Sequence, residues 1–88
     1  MERNDELAGI FARITDVKTM RDFMEEILTE AERKKLDLRW SVLQEIHNGT
    51  PQREIASRYG MSLCKVSRGS RIIKKRSSVS NRILEGRI

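Results

Sequence analysis

The chain has 88 residues, enough for one small domain and too few for a second of ordinary size. Hydrophobic residues make up 38% and charged residues 35%, against a globular norm of about 45–50% and about 25%, so a single copy has little to bury and is expected to need a partner chain. One cysteine, Cys64, and one histidine, His47, exclude an intrachain disulfide, a zinc framework and a histidine acid/base pair; no apolar run nears the ~20 residues of a membrane span, and the acidic start is unlike a signal peptide. The expectation is a chain of the reducing cytoplasm.

Charge is unevenly spread. Residues 1–48 carry 8 Lys/Arg and 11 Asp/Glu, whereas residues 49–88 carry 10 and 2. A polyanion such as nucleic acid is attracted to the second half alone, which leaves the first free for self-association; a solvated basic tail fits the charge equally well at this point.

In chain order, Leu7, Ile10, Phe11 and Ile14 fall at i, i+3, i+4 and i+7, and Met20, Phe23, Met24 and Ile27 repeat the pattern, which predicts two short amphipathic helices. Thr29 and Glu32 have the spacing of a capping box that opens a third helix of ~18 residues, with Leu36, Trp40, Leu43 and Ile46 on its apolar side and Asn48-Gly49 at its end. Pro51 suits the first turn of a fourth helix. The chain from Ser77, with Val79, Ile83 and Leu84, predicts a last helix capped by serine.

The segment from Thr50 to Gly69 reads as a helix-turn-helix. Ala56 is small where two helices must approach, Gly60 follows where the turn needs positive φ, and Ile55, Tyr59, Leu63 and Val66 can fill the angle between them. Ser62 is the expected N-cap of the second helix, whose residues Leu63, Cys64, Lys65 and Ser67 are expected to face a DNA major groove. Gly69 in mid-helix costs about 1 kcal/mol and calls for a close approach to its backbone; a tolerated kink is the alternative.

Leu28-Thr29 with Glu32-Arg33, Arg39, Gly49, Gln52-Arg53-Glu54-Ile55, Gly60 and Ser67-Arg68-Gly69-Ser70 together resemble the Trp repressor family, from about Leu28 to Lys74. The resemblance implies an all-α chain of about six short helices with a helix-turn-helix, in an intertwined homodimer. It implies one domain over 1–88, with dimerisation helices in 1–49, the helix-turn-helix in 50–75 and a C-terminal helix in 76–88.

For a ligand, the resemblance implies L-tryptophan as corepressor and no other cofactor. Arg39 and Arg68 match the arginines that sandwich the indole ring, Arg68 with Thr29 also meeting the carboxylate, and the ammonium would lie at carbonyls around Glu26 and Leu28. Gly69 becomes the close-approach residue, and Val42 and Leu43 would line the ring. Ile72 stands where the family has a serine near the amino group, and Lys65 where it has a threonine.

For double-stranded operator DNA, the resemblance assigns Arg53 to a base edge and Gln52 to phosphate, with Ala56, Ser62, Leu63, Cys64, Lys65, Ser67 and Lys74 on the DNA side. Lys75 and Arg76 extend the basic run. The reading is a repressor of tryptophan biosynthesis or uptake genes that binds a near-palindromic operator. Its alternatives are a similar regulator responding to another ligand or to none, and a basic helical module for RNA or protein. No nucleophile, paired carboxylates or metal ligands stand at recognisable spacing, so an enzyme is not expected.

Overall fold

The computed structural model describes residues 3–86, and side chains from residue 5 to residue 86. All regular structure among the described residues is helical: α1 (Arg3–Arg13), α2 (Val17–Ile27), α3 (Glu30–His47), α4 (Gln52–Tyr59), α5 (Leu63–Lys74) and α6 (Val79–Leu84). The described residues are therefore all-α with six helices, as the resemblance implies. It divides into two compact units, Met1–Lys34 and Lys35–Ile88, with the border inside α3.

In the first unit, the Phe11 and Phe23 rings meet edge to face with centroids 5.5 Å apart. Asp16, not anticipated from the sequence, caps α2 by accepting from the Thr19 N–H at 2.9 Å, and the Thr19 side chain first and then its N–H hold the Asp16 carboxyl below the ordinary range. Thr29 and Glu32 form the reciprocal capping box: the Glu32 N–H donates to Thr29 Oγ1 at 3.1 Å and the Thr29 N–H to Glu32 Oε1 at 2.8 Å. Leu7, Ile10 and Ile27 remain exposed.

The second unit has the buried core. Val42 from α3, Ile55 from α4 and Val66 from α5 meet there, with Ile46, Ala56, Tyr59 and Met61 packed around them. At the end of α3, Gly49 has φ +89°, its N–H donates to the Ile46 carbonyl, and the Thr50 N–H donates to the Glu45 carbonyl; this pair of bonds closes the last turn. Pro51 sits one position earlier than expected, at the N-cap of α4, where its extended backbone lets its carbonyl accept from the Ile55 N–H while the ring keeps φ near −59°. Gly60 takes the left-handed conformation, with φ 61° and ψ 38°, so the chain turns from α4 into α5 within Gly60-Met61-Ser62.

Gly69 is buried where α5 crosses α3. A Cβ built there would lie 3.0 Å from Ile46 Cδ1, 3.4 Å from Leu43 Cδ2 and 3.6 Å from Val42 Cγ1. The close approach expected at this glycine is thus made by side chains of the same chain. Beyond α5, Ser78 caps α6 through the Asn81 N–H, and the buried Asn81 amide donates to the carbonyls of Ile73 and Lys75, which fastens α6 to the end of α5.

Candidate nucleic-acid interface and ligand residues

Two helices joined by a three-residue turn present an open groove of about 410 Å³, walled by Gln52 from α4 and by Leu63, Cys64, Ser67, Ser70, Arg71 and Lys74 from α5. Ser62 caps α5 by accepting from the Lys65 N–H, so the helix starts beside the turn. Ser67 Oγ donates to Gln52 Oε1 at 2.9 Å, which joins the two walls. Cys64, Ser67, Arg71 and Lys74 recur at i, i+3, i+7 and i+10 and share one stripe of α5. No Asp or Glu occurs between Ile55 and Leu84, so no carboxylate of α5 or α6 offsets these cations.

The expected DNA-side residues divide between two environments. Gln52, Leu63, Cys64, Ser67 and Lys74 line the groove, whereas Ala56 packs against the core and Ser62 serves as the cap. Arg53 is exposed on α4 outside the groove lining. Lys65 falls on the helical face shared with Arg68 and Ile72, about 100° per residue setting it apart from the Cys64 stripe.

Behind α4, the Glu45 carboxylate accepts from Thr50 Oγ1 at 2.8 Å, from the Tyr59 hydroxyl at 2.9 Å and from Arg58, which also pairs with Glu54 at 3.0 Å. The Thr50 bond, then those of Tyr59 and Arg58, hold the Glu45 carboxyl below its ordinary range; the same bond to Glu45 raises the Tyr59 hydroxyl and the Arg58 guanidinium. The corner between α3 and α4 is thereby cross-tied.

The residues expected at a ligand fall in both units. In the second, Arg39 and Arg68 are exposed, and among the described residues neither has an ion-pair or hydrogen-bond partner. Leu43 touches the Gly69 position and Val42 is only 3% exposed, so Val42 offers its surface to the core. Ile72 lies one helical turn beyond Arg68 and is 36% exposed. In the first unit, Glu26 is exposed on α2, and the Leu28 carbonyl already accepts from Arg33 Nη1 at 2.7 Å. Thr29 uses its hydroxyl in the capping box.

Residues 2–87 match the Trp repressor protein family. The chain belongs to that family. Two Trp operon repressor homologs, from Chlamydia trachomatis serovar D and serovar A strains, are each 34% identical over 58 residues, a match that covers 65% of this chain and 62% of each relative. The match therefore spans less than two thirds of those relatives. No solved structure matches the chain. Trp repressors are transcriptional repressors and not an enzyme family.

Within this Trp repressor chain, the resemblance did not single out Arg71 or Glu45. Arg71 was legible as the residue four after Ser67 on the expected recognition helix, whereas the Glu45 partners are five to fourteen residues away and carry no short-range signature. Among the described residues no group of three or more His, Cys, Asp or Glu is placed to hold a metal ion, and no helix is long and apolar enough to cross a membrane.

Proposed function

We propose that this chain is the subunit of a homodimeric, sequence-specific DNA-binding repressor in which α4, the Gly60 turn and α5 form the helix-turn-helix. The observation that carries the reading is the cation-bearing groove on α4 and α5, free of acidic residues, in a member of the Trp repressor family. The first turns of α5 would enter the major groove, with Arg53 positioned for a bidentate guanine contact and Gln52 for phosphate. Residues 1–49 would supply the dimerisation helices, residues 50–75 the DNA reader and residues 76–88 the closing helix.

Exposed Leu7, Ile10 and Ile27 in the first unit, and Leu36 and Trp40 in the second, support self-association. The corepressor in this reading is L-tryptophan, with the unpaired planar guanidinium groups of Arg39 and Arg68 stacking on the indole. Two observations favour a second reading, in which the reader answers to another ligand or to none: Ile72 presents an apolar surface next to Arg68, and Arg33 already occupies the Leu28 carbonyl expected to receive an ammonium.

Selection of duplexes from a random pool by the full chain, followed by anisotropy titration at fixed salt with and without L-tryptophan, tests both. A palindromic consensus bound at least tenfold more tightly with tryptophan, a coupling of about 1.4 kcal/mol, supports the corepressor reading. Specific binding indifferent to tryptophan selects the second. Failure to enrich any sequence, or a monomer in sedimentation at micromolar concentration, overturns the homodimeric repressor.

A further inference from the structure

We propose that Cys64 is a modification site: it exchanges with the disulfide of a small, carboxylate-bearing thiol, and the attached group fills the groove on α4 and α5 and shuts out the duplex. The chemistry at Cys64 stands on the groove alone, whereas the shutting-out rests on the DNA-binding reading above.

Cys64 is a free, exposed thiol at the second position of α5, and it lines the groove of about 410 Å³. That volume falls within the ~300–1,000 Å³ of small-molecule sites. A thiol on a flat surface gives an attached group nothing to hold, but here the lining supplies partners. Ser70 is 6% exposed and lines the same groove, and among the described residues its hydroxyl has no hydrogen-bond partner. Ser67 differs, because its hydroxyl is spent on Gln52. An enclosed hydroxyl is costly to leave unpaired, and a polar atom seated in the groove provides the missing partner.

Charge selects the attached group. Arg71 and Lys74 lie about 10 and about 15 Å beyond Cys64 along the α5 axis, at 1.5 Å per residue. Neither has an ion-pair partner among the described residues, and no carboxylate lines the groove. A group two or three residues long spans up to about 10 Å, so a carboxylate on a thiol joined at Cys64 reaches the Arg71 guanidinium, which can hold it by two parallel bonds. In the exchange, Cys64 gives up its proton and its sulfur attacks one sulfur of the small disulfide. The S–S bond breaks, and the departing thiolate takes up a proton. One mixed disulfide and one free thiol result, with the protein thiol oxidised and the small disulfide reduced. DNA binding then lapses when the small disulfide accumulates and returns when its thiol prevails.

The test treats the reduced full chain with glutathione disulfide, a carboxylate-bearing probe, and with cystamine, a cationic one. Intact mass is expected to show one glutathionyl group per chain, removed by dithiothreitol. The ratio of the glutathione-disulfide rate to the cystamine rate should be about threefold or more higher in the folded chain than in the chain unfolded by urea, the scale of one exposed charge pair. High salt and Arg71→Gln should each bring the ratio toward the unfolded value. The adduct should bind the selected duplex about tenfold or more weakly, with recovery on reduction, and duplex bound beforehand should slow the exchange. Cys64→Ser, whatever its own affinity, should bind alike before and after treatment. Equal rate ratios in the folded and unfolded chain, or a disulfide between two copies of the chain in place of the adduct, overturn the site. An adduct that leaves duplex binding unchanged overturns the gating, and so does a loss of binding when Cys64→Ser is treated. Absence of duplex binding by the untreated chain overturns the repressor reading and the gating together, while the mass and the rate ratio still decide the site.

Discussion

The Tyr59 hydroxyl donates to the Glu45 carboxylate at 2.9 Å across fourteen residues, tying the last turn of α4 to the last turns of α3. The Tyr59 ring packs on the core while its oxygen reaches the half-buried carboxylate, so one side chain serves both packing and orientation. Tyr59→Phe keeps the ring and removes one of several bonds to Glu45, and a small fall in melting temperature is expected. Glu45→Ala strips Thr50, Tyr59 and Arg58 of their shared acceptor and should lower it further. Thermal melts of both variants and of the double mutant measure the coupling, and strictly additive losses would show that the bond contributes nothing.

Acid should erase the Glu45 contribution. Its carboxyl titrates below the ordinary value of 4.5 in the folded chain, so the unfolded chain takes up a proton first as pH falls. The stability difference between wild type and Glu45→Gln is therefore full above about pH 4.5 and fades as pH drops through the lowered value. Asp16 behaves alike below its ordinary 3.8. Tyr59 has the opposite sign: its raised value gives a contribution present below pH 10 and lost as pH climbs through the higher folded value. Melts of wild type and Glu45→Gln from about pH 3 to pH 7 check the acid side, and a difference that stays constant across that range contradicts it.

Local chemistry was the legible part of this fold. Capping at Thr29, Ser62 and Ser78 and the turns at Gly49 and Gly60 depend on groups within a few residues, so residue type and spacing disclose them. Asp16 has the chemistry of a cap, but Thr19 and not Glu or Gln follows three residues later, so no capping-box spacing marks it. Glu45 could not be read, because a glutamate late in a helix has the same pattern whether it meets solvent or three donors from another element. Lys65, one residue past Cys64, lies about 100° around α5 on the face shared with Arg68 and Ile72. For Gly69, spacing left a tolerated kink and a close approach both open, and the groups that approach are Ile46, Leu43 and Val42 of α3.

That approach yields a packing prediction. Gly69→Ala gains helix propensity of up to about 1 kcal/mol and pushes only against the flexible end of Ile46, so the net change should lie within about 1 kcal/mol of zero. Gly69→Val adds branches toward Leu43 and Val42 and should destabilise by about 1–3 kcal/mol. Adding Ile46→Ala to Gly69→Val makes room for the larger side chain, and denaturant titration should show the pair costing less than the sum of the singles.

Asn81 is the corresponding test at the other end of α5. It is 4% exposed, and its amide donates to the carbonyls of Ile73, in the last turn of α5, and of Lys75, which caps it. Asn81→Ala leaves the Ile73 carbonyl without this donor, while the Lys75 carbonyl keeps the Ser78 N–H at 2.9 Å, and should cost about 1–3 kcal/mol. Because these are the bonds that fasten α6, hydrogen exchange of the α6 amides should accelerate before that of α5. Equal acceleration in both helices would show that Asn81 holds the whole unit instead of the α5–α6 joint.

Ile72 tests the ligand reading separately from the fold. Its side chain is 36% exposed, so most of it is covered, and Ile72→Ser should cost about 1–2 kcal/mol while leaving the chain folded, which a melt of the variant verifies first. If L-tryptophan binds beside Arg68, the added hydroxyl supplies a partner for the ligand ammonium, worth about 1 kcal/mol or about fivefold in affinity. Indole-3-propionate has the ring and carboxylate without the ammonium, and its affinity should stay unchanged in the variant. Calorimetric titration of wild type and Ile72→Ser with both ligands separates the cases: a gain for tryptophan alone places its amino group at residue 72. Equal gains for both ligands assign the effect to the carboxylate or to solvation, and no gain for either removes residue 72 from the site.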